Sequence, residues 1–404
     1  MSVRRRAHTG TVGLLAAAVG LTAFAAPARA ATEPPKPRHQ ATQQALDAIV
    51  AGGLPGATGQ VRDRHGVWKG VSGVGNLKTG APRGEDDRFR VASITKTFVA
   101  TVLLQLEAEG RLDLDDTVEK HLPGLVRGQG HDGSRITVRQ MLNHTSGIFD
   151  FYGDEAYARK YMLAEGFLKN RYAYRSPESA IKVAMSHPPV FAPGTDYAYS
   201  NTNYVLAGLV IERVTGDSYE NQVRKRIIKP LKLRATTVPG NDSSMPAPSS
   251  RGYSKLSFDP AATKIYDATL QNASQSWADG DIISSAGDLN RFYSALLRGK
   301  LLPKKQLKAM KTTTAHSEHA SGGYGLGLDR VNTSCGVELW GHSGGWIGSL
   351  SNALTTADGR HSLAYNANGD WSVAGLEEVV EAEYCGVAPR GGAAGAQSFA
   401  PLHR

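Results

Sequence analysis

Residues 93–109 read SITKTFVATVLLQLEAE, a stretch that is apolar on nearly every face over three turns. A helix without a polar face belongs inside a protein rather than on its surface, so the segment predicts a helix buried in the middle of the fold and opened by Ser93. One lysine lies within it. Residues three apart share a helix face, which sets the Ser93 hydroxyl beside the Lys96 amine at the N-terminal end. A hydroxyl is a poor nucleophile until a base takes its proton. Desolvation lowers a lysine's pKa enough for it to serve, and backbone N–H groups at a helix start favour a developing anion. S-x-x-K alone also describes a surface cap with a solvated lysine; the apolar helix behind it argues for a reactive pair.

Working outward, Gln43 to Ala51 reads as an amphipathic helix, and Gly59 to Gly75 alternates around Arg64-His65-Gly66 as strand, turn and strand. Beyond the buried helix lies a helical middle section. It includes Asn203 to Thr215, with Val205, Leu206, Leu209, Val210 and Val214 at helical spacing. Tyr324 to Val331, Val337 to Trp340, Gly348 to Leu354 and Ser362 to Asn366 predict successive strands, and Val373 to Tyr384 a closing helix. This order predicts an α/β protein of the α+β kind: an antiparallel sheet built from both chain ends and flanked by helices, with a mostly helical region inserted over residues 118–275.

At 404 residues and 41% apolar content the chain can bury a sizeable core. Residues 1–30 read as an export signal, with Arg4 to Arg6, an apolar run to Ala26, and Ala28-Arg29-Ala30 before the cut. That run is short for a spanning anchor. Residues 31–41 form a Pro-rich leader, 42–386 the catalytic domain and 387–404 a disordered Gly/Ala-rich tail, so a secreted, soluble monomer is expected. The net charge of +9 drops to +5 without the signal's four arginines, and no basic run is interleaved with aromatics, which excludes a nucleic-acid partner. In an oxidising compartment Cys335 and Cys385 are expected to form a structural disulfide. His316 and His319 make an H-x-x-H in a polar loop with no third ligand, so neither metal nor cofactor is expected.

Two further segments carry chemistry. Tyr199-Ser200-Asn201 precedes the helix at Asn203: a phenol could move a proton between nucleophile and leaving group, and an amide could hold a substrate carbonyl. Ser200 or Asn201 could equally cap that helix. Gly341-His342-Ser343-Gly344-Gly345 offers a ring edge and a hydroxyl to an anionic substrate, with glycines that let a ligand approach the backbone. It also matches G-x-S-x-G, in which Ser343 would be the nucleophile of an α/β-hydrolase, provided that a helix follows directly.

S-x-x-K, then Y-x-N about 100 residues on, then H-x-G about 140 further, resembles the penicillin-recognising serine hydrolases: DD-peptidases, class C β-lactamases and their esterase and D-aminopeptidase relatives. RFRVASITKTF, LLQLEAEGRLDLDD, ITVRQMLNHTSGI, YAYSNTNYVLAG and YGLGL look most like the secreted DD-carboxypeptidases. The resemblance implies that Ser93 is acylated, Lys96 is its base, Tyr199 shuttles the proton and Asn201 holds the substrate amide. His342 and Ser343 would face the substrate's carboxylate or leaving group. Backbone N–H groups of Ser93 and Gly345 would form the oxyanion hole beside Gly344, and Phe149 and Trp277 would wall the pocket, Trp277 fitting a core position equally well. It implies a small peptide substrate from cell-wall D-Ala peptides, with β-lactams as acylating ligands.

Two positions depart from those carboxypeptidases. Where they have an arginine after YGLGL that clamps the terminal carboxylate, this chain has Asp329, with Arg330 turned to the other face by strand alternation. Their H-T-G-T is here H-S-G-G. Overall similarity puts D-Ala-D-Ala carboxypeptidase first. Both departures favour the alternatives: a D-amino-acid endopeptidase or amidase, an esterase, or a class C-like β-lactamase. A non-catalytic penicillin-binding sensor is a further alternative.

Overall fold

The computed structural model describes residues 38–318 and 322–389. The export signal, most of the leader, the tail from residue 390 and His319 lie outside the described residues.

Seven strands form one antiparallel sheet: β1 (Gly56–Asp63), β2 (Gly66–Gly73), β3 (Gly322–Tyr324), β4 (Asp329–Asn332), β5 (Glu338–Trp346), β6 (Ser349–Thr356) and β7 (Ser362–Ala367). Their order is β2-β1-β7-β6-β5-β4-β3, so the N-terminal hairpin pairs with the last strand of the chain. Asp63 stands opposite Gly66 across the hairpin, and Gly66 takes the φ of +125° that its turn requires.

Helices α1 (Gln40–Ala51) and α5 (Leu376–Cys385) cover one face, where Leu46, Ile49 and Val379 pack with Leu354, Leu363 and Tyr365. The Cys335–Cys385 disulfide, with Cα atoms 5.7 Å apart, fastens the end of α5 to the loop before β5. The opposite face carries α4 (Ala286–Leu297), and next to it lies α2 (Thr95–Ala108), whose residues Thr95 to Leu104 are all buried. Phe98 of α2 stacks on Phe292 of α4 with centroids 3.8 Å apart. Among the described residues no helix is long and apolar enough to cross a membrane.

Three expectations need correction. Helices of the inserted region run from Val118 to Leu231, including α3 (Thr202–Thr215), while residues 232–282 are mostly turns and short bridges. Tyr324 to Val331 is not one strand: residues 325–328 form a turn between β3 and β4. Gly327 has φ of +67° there, and a Cβ on it would come within 2.7 Å of both Ala100 and the Tyr204 hydroxyl, so only glycine lets the turn press against α2. Finally, β5 continues through the glycines to Trp346 instead of ending at Trp340. Gly344 permits this, because a Cβ would lie 2.1 Å from the Val91 carbonyl.

Candidate active site

A short 3-10 turn, Ala92–Ile94, leads into α2. Ala92 has φ of +50°, a conformation that costs a non-glycine residue about 1–3 kcal/mol and persists only when its surroundings enforce it. Side-chain hydroxyls of Ser349 and Ser351 do so by donating to the Arg90 and Val91 carbonyls at 2.7 and 2.9 Å. The turn leaves Ser93 half-buried while Lys96, one turn later, is fully enclosed.

Lys96 Nζ contacts three oxygens: Ser93 Oγ at 2.9 Å, Asn201 Oδ1 at 2.7 Å and the Asp279 carbonyl at 2.8 Å. Burial lowers its pKa to about 8, against the opposing pull of Asp279, Asp150 and Asp329. At pH 7 roughly a tenth of it is therefore an uncharged amine that can accept the Ser93 proton, against less than a thousandth for an exposed lysine. Asn201 immediately precedes α3 yet makes no side-chain cap; its Nδ2 donates to Asp150 Oδ2 at 2.8 Å. The capping alternative fails for it. Asp150, raised to about 6 by burial, holds the amide in the orientation that turns Oδ1 toward Lys96.

Tyr199 lies over the same ammonium, with its ring centroid 5.0 Å from Nζ. Its hydroxyl is shielded from solvent and, among the described residues, has Ser93 as its hydrogen-bonding neighbour without a well-formed bond. Burial drives its pKa well above 10, and Ser93 is the neighbour that pulls it back. A phenol in this state carries a proton and does not act as a standing base. Behind it, His144 Nδ1 accepts from the Ser200 N–H at 3.1 Å, and the imidazole lies 4.2 Å from the Tyr199 ring.

On β5, His342 and Ser343 point to opposite faces, the first buried and the second exposed. His342 Nδ1 donates to the Ser343 carbonyl at 2.6 Å, so Nε2 accepts from the Tyr324 hydroxyl at 2.9 Å. Burial lowers its pKa, Asp329 opposes that and Lys96 adds to it, so the ring is neutral at pH 7. Asp329 Oδ2 stands 3.8 Å from Nδ1, whereas Arg330 forms an ion pair with Glu318. Gly341 pairs with Asp329, but β4 goes no further along β5, so Ser343 to Gly345 have β6 as their one strand neighbour.

Phe149 is half-buried next to Asp150 and stacks on His187 at 4.0 Å. For Trp277 the contacts favour the core alternative. Its indole is buried against Tyr219, donates to Glu220 Oε1 at 3.0 Å and fills the space left by Gly208, so it is a core residue; its segment supplies the Asp279 carbonyl instead. Ser343 cannot be an elbow nucleophile, since it sits mid-strand and β6 follows rather than a helix. Reasoning from sequence gave no role to Asp150, Asp279, Tyr324 and His144, although His144 and Tyr324 lie within the ITVRQMLNHTSGI and YGLGL stretches. Among the described residues no group of three or more His, Cys, Asp or Glu side chains is arranged to hold a metal ion.

Residues 14–374 match the Beta-lactamase family. The chain belongs to the beta-lactamase family. The structure resembles a D-stereospecific amidohydrolase from Streptomyces sp., at 56% identity and a TM-score of 0.82 over 87% of this chain and 100% of that one. It also resembles the D-amino acid amidase of Ochrobactrum anthropi SV3, at 28% identity and a TM-score of 0.72 over 85% and 97% of the two chains. Among curated relatives, penicillin-binding protein 4* of Bacillus subtilis (strain 168) is 26% identical over 306 residues, 73% of this chain. The chain spans 64% of that relative's length.

Proposed function

We propose that this family member hydrolyses amide bonds of D-amino acids through an acyl-enzyme on Ser93, and that it prefers substrates without a free carboxylate on the leaving group. The carrying observation is the carboxylate of Asp329, 3.8 Å from a neutral His342, where carboxypeptidases of similar sequence have an arginine. Neither group attracts a second carboxylate; an amide or amine encounters no such repulsion. The names of the two amidase neighbours agree with this reading. It places the amidase alternative ahead of D-Ala-D-Ala carboxypeptidase.

In the proposed cycle, neutral Lys96 takes the proton of Ser93 as Oγ attacks the carbonyl carbon. The backbone N–H groups of Ser93 and Gly345 receive the oxyanion, a contact worth about 3–4 kcal/mol per donor in comparable sites. Tyr199 passes a proton to the departing nitrogen and is resupplied from Lys96; water then repeats the sequence in reverse roles. Asn201 holds the substrate amide, Ser343 borders the leaving group and Phe149 forms part of the pocket wall. β-Lactams, which present a strained amide to the same serine, are expected to acylate it, and the enzyme is expected to act after export.

The test compares kcat/KM for D-phenylalanine amide, L-phenylalanine amide, and a D-Ala-D-Ala peptide as free acid and as C-terminal amide. The D-amide and the amidated peptide should be the better substrates. Preference for the free acid contradicts the proposal.

A further inference from the structure

His144 lies against Tyr199 and has no part in the proposed cycle. It stands two residues after the short helix Val138–Leu142, is fully buried, and has φ of +60°, a left-handed conformation that non-glycine residues seldom adopt. From there it grips the chain on both sides of Tyr199: its carbonyl accepts from the Ala198 N–H at 3.1 Å, and its Nδ1 accepts from the Ser200 N–H at 3.1 Å. The imidazole itself lies 4.2 Å from the Tyr199 ring. A backbone N–H can only donate, so Nδ1 carries no proton and the ring's proton sits on Nε2. The Asn203 Nδ2 donates to the same Nδ1 at 3.2 Å while its Oδ1 accepts from the Ser146 hydroxyl at 2.7 Å, which fixes the tautomer from a second side.

Nε2 is buried without a hydrogen-bond partner, in a ring surrounded by those of Tyr197, Tyr199, Tyr204 and Tyr324. A left-handed backbone and an unmade buried donor are two costs on one residue, both next to the phenol. Burial holds the imidazole well below its ordinary pKa, and Lys96 and His342 add to this, so the ring stays neutral and its acceptor stays available. Tyr199 needs such support, because its own hydroxyl has no well-formed hydrogen bond to hold it. We propose that His144 is a positioning residue for Tyr199: by accepting from the amides on either side of it, His144 keeps the phenol where it can pass a proton to the leaving nitrogen. The inference rests on the proposed role of Tyr199 as proton donor.

The test compares kcat/KM for D-phenylalanine amide with kcat/KM for D-phenylalanine p-nitrophenyl ester. Both deliver the same acyl group to Ser93, but the departing amine must be given a proton whereas the nitrophenolate leaves without one. A displaced phenol therefore lowers the amide-to-ester ratio, while a general loss of structure lowers both rates together. His144→Phe keeps a ring and removes the acceptor, and should lower the ratio about tenfold or more. His144→Asn, whose Oδ1 reaches as far as Nδ1 and which tolerates the left-handed backbone, should stay within about threefold of the wild-type ratio. His144→Gln, with its amide one methylene too far out, replaces the Phe variant if circular dichroism shows that variant unfolded. If the wild type does not hydrolyse D-phenylalanine amide, the amidase reading fails; the ratio is then taken from acylation rates with a β-lactam in place of the amide, since its nitrogen also takes a proton on leaving. A ratio unchanged in the folded Phe or Gln variant, or lowered as far in His144→Asn, overturns the proposal.

Discussion

Replacing Asp329 by asparagine keeps the size of the side chain and removes its charge. A substrate carboxylate seated against His342 or Ser343 would lie roughly 6 Å from Asp329, one hydrogen bond beyond the 3.8 Å that separates Asp329 from His342. At an effective dielectric of about 20, two like charges at that distance repel by about 3 kcal/mol. The Asp329 side chain is 28% exposed, so screening reduces this to about 1–2 kcal/mol. That corresponds to about a tenfold gain in kcat/KM for a peptide ending in a free carboxylate. Asp329 also supports the charged form of Lys96, but that effect acts on every substrate equally and cancels in a ratio. The assay is the ratio of kcat/KM for D-Ala-D-Ala free acid to its C-terminal amide, in wild type and Asp329→Asn. A rise of about tenfold is expected. An unchanged ratio refutes the argument that Asp329 selects against carboxylates.

Lys96 titrates near 8 and acts as a base only when neutral, so kcat/KM should rise with pH and level off above about 8. Asp150→Asn removes one of the anions that favour the lysine's charged form, which should move this limb of the pH–rate profile to lower pH; a shift to higher pH contradicts the assignment. Gly344→Ala should cost about 1–3 kcal/mol in chemical denaturation and strongly impair acylation, since its Cβ would lie 2.1 Å from the Val91 carbonyl; wild-type acylation would show that β5 does not need this close approach. Cys335→Ser with Cys385→Ser should lose up to about 4 kcal/mol by the same measurement, as expected for a bridge spanning 50 residues.

The buried helix, the N-terminal hairpin and the terminal strands were legible because each shows a local period or an unbroken apolar run. Ser93 and Lys96 were legible for the same reason, one helical turn being a short-range relation. The groups that position them were not. The Asp279 carbonyl reaches Lys96 from 183 positions away, and Asp150 meets Asn201 from 51 away, through packing that no short window encodes. Sequence left Trp277 open between pocket wall and core because an aromatic near a motif fits either; its packing beside Gly208 favours the core. Residues 341–345 lie beyond the strand expected to end at Trp340, yet they continue β5, with Gly344 left without a side chain so that the strand can lie against Val91.

Intact-protein and peptide mass spectrometry after incubation with a β-lactam tests the central claim most directly. A single adduct on the peptide containing Ser93, absent in Ser93→Ala and present in Ser343→Ala, is the predicted result. An adduct on Ser343, or one that survives in Ser93→Ala, contradicts it.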